Sequence, residues 1–338
     1  NTGGDYIHFV GPYFLAPTLT LNPASALNGS GAFVFMSGLY VSTGQTLTLA
    51  AGVRFKFGPF TNLDVQGTLI ANGTVANEVV FTSTADDATG GDSLSDGPTT
   101  GLPGDWSYIY LQSGSSASVL SRVRVKFAAT SSNSSVYVYN ANPTIIDSTI
   151  ESGAGGGLYV YSGAQPIVQR CHIANHQLFA VHVDDFRALS GMRHNTASGN
   201  TGGDYTRVAA SSVGGAATVF PHNYIGPVLV VSGGLISTGE SLTLQAGVKV
   251  KVTSGTLSCY GSLNFAGTGL EPVVVTSLLD DTVGGDTNKD GTATTPAPGD
   301  WYGIIFTSPA TGTSLVRHAH LRYAAVGVTS YGPEPMLN

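Results

Sequence analysis

Apolar and polar positions alternate along short runs, and the runs recur. Val136-Tyr-Val-Tyr139, Leu158-Tyr-Val-Tyr161 and Val181-His-Val183 follow one another at spacings of 22 and 23 residues. Each sets Val or Leu on one face and Tyr or His on the other, the two-residue period of a strand. Pro143-Thr-Ile-Ile-Asp-Ser-Thr-Ile150 recurs 23 residues later as Pro166-Ile-Val-Gln-Arg-Cys-His-Ile173. Each repeat carries two or three strand-like segments, separated by Gly, Asn, Ser or Pro. No window places apolar residues at i, i+3, i+4 and i+7 over ten residues, so helices are minor.

A period of 22–23 with short strands and turns has one economical solution. Each repeat forms one coil, and equivalent strands of successive coils pair in parallel. Inward Val, Ile, Leu and Phe then stack into a core that no single coil could form. Parallel crossovers are overwhelmingly right-handed. The reading is an all-β chain, a right-handed parallel β-helix solenoid; 338 residues at this period make about 14–15 coils. Ile150 and Ile173 share one inward column on this register, and Val136 and Val181 another.

A longer period lies over the short one. Asn1-Thr-Gly-Gly-Asp-Tyr6 recurs at Asn200–Tyr205, and Thr43-Gly-Gln-Thr-Leu-Thr-Leu-Ala-Ala-Gly-Val53 recurs, little changed, at Thr238–Val248. Asp86-Asp87, Gly90-Gly91-Asp92 and Gly104-Asp-Trp106 return as Asp280-Asp281, Gly284-Gly285-Asp286 and Gly299-Asp-Trp301. The chain therefore reads as a single solenoid, 1–338, built from a long unit 1–199 and a truncated second copy 200–338. Neither end resembles the atypical coil that usually caps a solenoid. The expected partners are further repeats of a longer chain, or copies of this chain stacked head-to-tail.

Composition narrows the class. Apolar residues make up 42% of the chain, too many for a disordered polymer, and the 45 glycines follow no three-residue period, which removes collagen. Fourteen Lys and Arg stand against 21 acids with no basic cluster, which argues against a nucleic-acid partner. No apolar run is long enough for a membrane-spanning helix. Only 10% of residues are charged, as suits stacked coils in which identical side chains become neighbours. Cys171 and Cys259 lie in apolar-alternating contexts and are expected to be buried free thiols. A start at Asn1 without Met fits removal of a signal peptide, so a secreted or cell-surface location is expected.

The acids are concentrated. Residues 84–105 hold Asp86, Asp87, Asp92, Asp96 and Asp105 with no base, and 280–300 hold Asp280, Asp281, Asp286, Asp290 and Asp300 against Lys289 alone. Within the second stretch Asp286-Thr-Asn-Lys-Asp-Gly291 reads as the first half of a calcium loop, with Asn288 and Asp290 as further oxygen donors. The bidentate Glu of an EF-hand is absent, so the missing ligands would come from Asp280, Asp281 or Asp300. Calcium is expected at 280–300. At 84–105, where Leu94 replaces Asn288, the reading stays open between calcium and a solvated loop of Asx-turns.

The Pro-x-Ile coils and Asn195-x-x-x-Gly199-Asn200 resemble the right-handed parallel β-helix repeat proteins, the superfamily that includes pectate lyases. The run Gly52-Val-Arg-Phe-Lys-Phe57, Val65-Gln-Gly-Thr-Leu-Ile-Ala-Asn-Gly73, the Asp-rich segment and Gly-Asp-Trp106 is similar to secreted bacterial β-helix proteins. A lyase-like activity would imply carboxylates holding calcium beside an Arg or Lys base. The one charged column at a spacing of 23, Arg124, Asp147, Arg170 and Arg193, reads as an ion-pair ladder instead. Outward Tyr137 over Tyr159 and Tyr139 over Tyr161 offer contact to sugar rings or protein, or simply stiffen the sheet. The expectation is a non-catalytic stalk, adhesin or filament subunit stiffened by calcium. A polysaccharide-active enzyme or a carbohydrate-binding module is the alternative.

Overall fold

The computed structural model of the chain describes residues 7–9, 11, 13, 16–26, 31–209, 212–307, 314–332 and 335–337; the Asn1–Tyr6 copy of the long repeat lies outside them. Its strands are two to six residues long and all paired in parallel, and they coil into a right-handed solenoid of about 13 turns. Among the described residues helix is confined to short 3₁₀ turns, the longest Phe186–Gly191.

The chain divides into two compact units. The first comprises 1–160, 166–180 and 195–201, the second 161–165, 181–194 and 202–338. In the first, one face stacks Ala32–Phe35, Arg54–Phe57, Val79–Ser83, Val123–Lys126, Thr149–Glu151 and His172–Ala174. A second face stacks Leu39–Val41, Leu63–Val65, Ile109–Leu111 and Ser134–Tyr139. The third runs from Thr18–Leu21 through Thr46–Leu49, Thr68–Asn72, Val119–Ser121 and Thr144–Ile146 to Ile167–Gln169. The second unit has the same three-faced build. Its first face stacks Leu229–Val231, Lys249–Val252, Val273–Ser277 and Ala319–Leu321.

Pleat alternation sets the core. Phe33, Phe35, Phe55, Phe57 and Phe81 point inward at 1% exposure or less. Their rings form a ladder that ends on Trp106, stacked on Phe57 at 4.6 Å. Ile150 pairs with Ile173 as the 23-residue register requires, and Ile150, Val136 and Val181 are each 1% exposed. Cys171 and Cys259 are buried and free.

The turns are unequal in length, and this corrects two expectations. Val80 pairs with Arg124 and Val274 with His320, so each acidic excursion takes up about one coil's worth of chain. That brings 14–15 coils down to about 13. Arg124 in turn pairs with Thr149, two residues beyond the 23-residue register, and so does not lie over Asp147. Arg122 does: Arg122, Asp147 and Arg170 occupy successive corners in the same left-handed conformation, with φ of 51°, 53° and 53°. Asp147 takes a bidentate pair from Arg170 at 2.7 and 2.9 Å, whereas Arg124 reaches Glu78 and Glu151 at 2.7 and 2.8 Å. Arg193 belongs to the second unit.

Candidate functional site

Each acidic excursion is fastened to the outer face of a sheet by the same set of groups. In the first unit Val34, Lys56 and Thr82 lie side by side on successive strands, with Lys126 next. Phe55 and Phe57 take the inward positions, so Lys56 points outward, and the loop then covers it completely. Its ammonium donates to Gly91 O at 2.6 Å. Asp86, 2% exposed, accepts from Thr82 Oγ1 at 2.7 Å and Lys126 Nζ at 2.9 Å. Burial alone would raise the Asp86 carboxyl, but these hydrogen bonds outweigh it and hold the carboxyl below its ordinary value.

The second unit repeats the arrangement. Val230, Lys251 and Thr276 are strand neighbours, with Arg322 in the place of Lys126. Fully buried Lys251 donates to Gly285 O at 2.8 Å and Thr287 Oγ1 at 2.7 Å. Asp280, also fully buried, accepts from Thr276 Oγ1 at 2.6 Å, Thr282 Oγ1 at 2.6 Å and Arg322 at 3.1 Å. Gly284, at φ 74°, presses so close to Val228 that a Cβ would sit 2.3 Å from its Cγ1. The chain returns to the solenoid at the tryptophans, whose Nε1 groups donate to Lys126 O at 2.7 Å and Arg322 O at 2.8 Å.

Beyond this anchorage the loops diverge. In the first, Asp92 accepts from the N–H groups of Leu94, Ser95 and Gly97, and Asp105 from that of Leu102. Asp87 takes the Thr99 N–H at 2.6 Å and stands 4.0 Å from Lys56 Nζ; Asp96 is exposed. In the second, Asp286 holds the equivalent turn through the N–H groups of Asp290 and Gly291. Here the carboxylates of Asp281, Asp286 and Asp290 converge, with one oxygen of each within 4.8 Å of the others. Asp281 Oδ1, Asn288 Oδ1 and Asp290 Oδ1 are all buried from solvent without a hydrogen-bond partner. Lys289 turns away to Asp204 at 3.4 Å. Asp280 and Asp300 lie outside the group; Asp300 accepts from the Ala297 N–H. A set of hard, convergent, unsatisfied oxygens fits a calcium ion, which takes six to eight of them.

Sequence reasoning found the acids but missed Lys56, Lys251, Lys126 and Arg322. Their signal was present: these cations recur at the long repeat, each pair on either side of its Asp-rich segment.

The tyrosine columns form a second feature. Tyr40 pairs with Asp64, Asp64 with Tyr110, and Tyr110 with Tyr137, whose ring lies 5.8 Å from that of Tyr159. Tyr110 also lies 6.2 Å from Tyr139, while Tyr161 is counted with the second unit. Inward Val136, Val138, Leu158 and Val160 are buried, so these rings stand on the outer face. Asp64 accepts from Gln112 Nε2 at 2.6 Å; its partial burial raises the carboxyl above the ordinary value despite that bond.

No curated protein and no solved structure matches this chain. Residues 105–239 match the family described as right handed beta helix region. With parallel strands stacked turn upon turn on both sides of that segment, the chain is a right-handed parallel β-helix repeat protein.

Proposed function

We propose that this protein is a non-catalytic structural solenoid, secreted or carried on a cell surface, and stiffened by calcium in its second acidic loop. One contrast carries the reading. Both excursions spend their buried Lys, Asp and Trp on fastening chain to sheet. The first leaves one buried oxygen without a hydrogen bond, Asp87 Oδ1, which faces Lys56 Nζ at 4.0 Å, whereas the second leaves three, on Asp281, Asn288 and Asp290, around a converging group of carboxylates. Asp281, Asp286, Asn288 and Asp290 would hold the ion, which would supply the positive charge their crowded oxygens lack. Loop 84–105 needs no ion: Asp87 Oδ1 already faces the Lys56 ammonium, Asp96 faces solvent and Leu94 replaces Asn288. The charged groups on the coils pair with one another, as in Asp147–Arg170, which suits a scaffold.

Thermal melts with EDTA and with added calcium test the reading. Calcium is expected to raise the melting temperature of the unaltered chain by several degrees. Asp281→Asn should abolish that response, and Asp87→Asn, the equivalent change in the first loop, should leave it intact. A melt indifferent to EDTA and calcium would overturn the metal site.

A further inference from the structure

The outer face that carries Tyr40, Asp64, Tyr110, Tyr137 and Tyr159 is built as more than a stiffening ladder. Tyr13 extends it by a rung, stacked on Tyr40 at 5.1 Å and 60% exposed. Tyr108 flanks it, edge-on to Tyr110 at 6.1 Å and to Tyr137 at 5.4 Å. Tyr40, Tyr108, Tyr110, Tyr137 and Tyr159 are half-buried, and the Tyr137 hydroxyl is held by the Ser134 N–H and Asn133 Oδ1. Edge-to-face packing fixes their orientation before any ligand arrives, so little side-chain entropy is left to lose on binding.

Three properties of this face specify a ligand. First, successive rungs lie ~4.8 Å apart, close to the length of one sugar ring in an extended pyranose chain. Second, the series is interrupted once, by the only charged residue on it. Asp64 gives one oxygen to Gln112 and receives no hydrogen bond on the other from any described residue. A carboxylate oxygen beside an amide is suited to a sugar hydroxyl. Third, Leu39–Val41, Leu63–Val65, Ile109–Leu111, Ser134–Tyr139 and Gly156–Tyr161 contain no Lys or Arg. A face whose one charge is negative repels an acidic polymer.

We propose that this tyrosine face binds a neutral polysaccharide, its sugar rings stacked along successive tyrosines and a hydroxyl held at Asp64. Calorimetry on the full chain with cellohexaose, xylohexaose and mannohexaose, and with hexagalacturonate as the charged control, provides the test. At least one neutral hexasaccharide should bind, and hexagalacturonate should bind more weakly. Tyr110→Ala should weaken binding about tenfold or more while Tyr110→Phe, which keeps the ring, retains most of it. If Tyr110→Ala does not fold, Tyr13→Ala serves, since that ring is largely exposed; it should cost about threefold to tenfold. Failure of all three neutral sugars to bind, preference for hexagalacturonate, or binding indifferent to the ring substitutions would overturn the proposal. These outcomes do not depend on calcium, so they stand or fall apart from the metal site.

Discussion

Lys56 and Lys251 show how far a single position depends on what covers it. Alternation with Phe55 and Phe57 correctly turns Lys56 outward, yet both lysines are 0% exposed because a loop folds over them. Burial lowers both ammonium pKa values, against the pull of the nearby aspartates. Lys251→Met would leave Gly285 O and Thr287 Oγ1 without their donor and the acids without their cation. It is expected to cost about 2–4 kcal/mol, read from urea unfolding. His176 makes a second case. It is 1% exposed, bonded to Ser135 and Asn200, and burial takes its pKa from 6.5 to about 4. Between those values the unfolded chain binds the extra proton. Stability is therefore complete above about 6.5 and falls as pH drops towards 4, by up to about 3 kcal/mol. Melts at stepped pH should show that decline, and His176→Gln should flatten it.

At the scale of the element, strand length and facing follow from the two-residue alternation, while register depends on the corners. The step from Ile150 to Ile173 is 23 residues and that from Arg124 to Thr149 is 25, because the turns between strands differ. A constant period thus places the core strands well but sets the strand residue Arg124 over the corner residue Asp147, a place that Arg122 takes. Asn195 shows what fixes a corner: its side chain accepts from Cys171 N at 2.9 Å and donates to Val168 O at 2.8 Å. Such bonds satisfy backbone groups where the sheet ladder stops. The inward column is the element's weak point for charge. Ile150→Asp would place a carboxylate in a dry stack with Ile173 and Val125 as its strand neighbours. Loss of the cooperative melt is expected, whereas Thr149→Asp, on the outward position beside it, should be tolerated.

Across the whole molecule, duplication supplied two copies of one anchoring device, and divergence at a few positions separated their chemistry. The residues at 94 and 288, Leu and Asn, mark the difference. If only the second loop holds calcium, its effect should be local. Hydrogen exchange should slow on calcium addition over 278–300 and the strand Gly303–Thr307, and remain unchanged over 84–105 and Ile109–Leu111. Equal protection of both loops would mean that the first binds the ion as well.

The chain by itself determined the parallel solenoid, the inward columns and the positions of both acidic excursions, because each is written as a period that survives any modest error in register. The convergence of Asp281, Asp286 and Asp290, but not Asp280 or Asp300, was decided only by the fold. Which oxygens remain unpaired depends on what Thr276, Thr282 and Arg322 have already claimed from neighbouring strands and turns. The buried lysines were likewise decided by the loop that lies across them. A one-dimensional pattern records which way a side chain points, and tertiary structure alone records what closes over it.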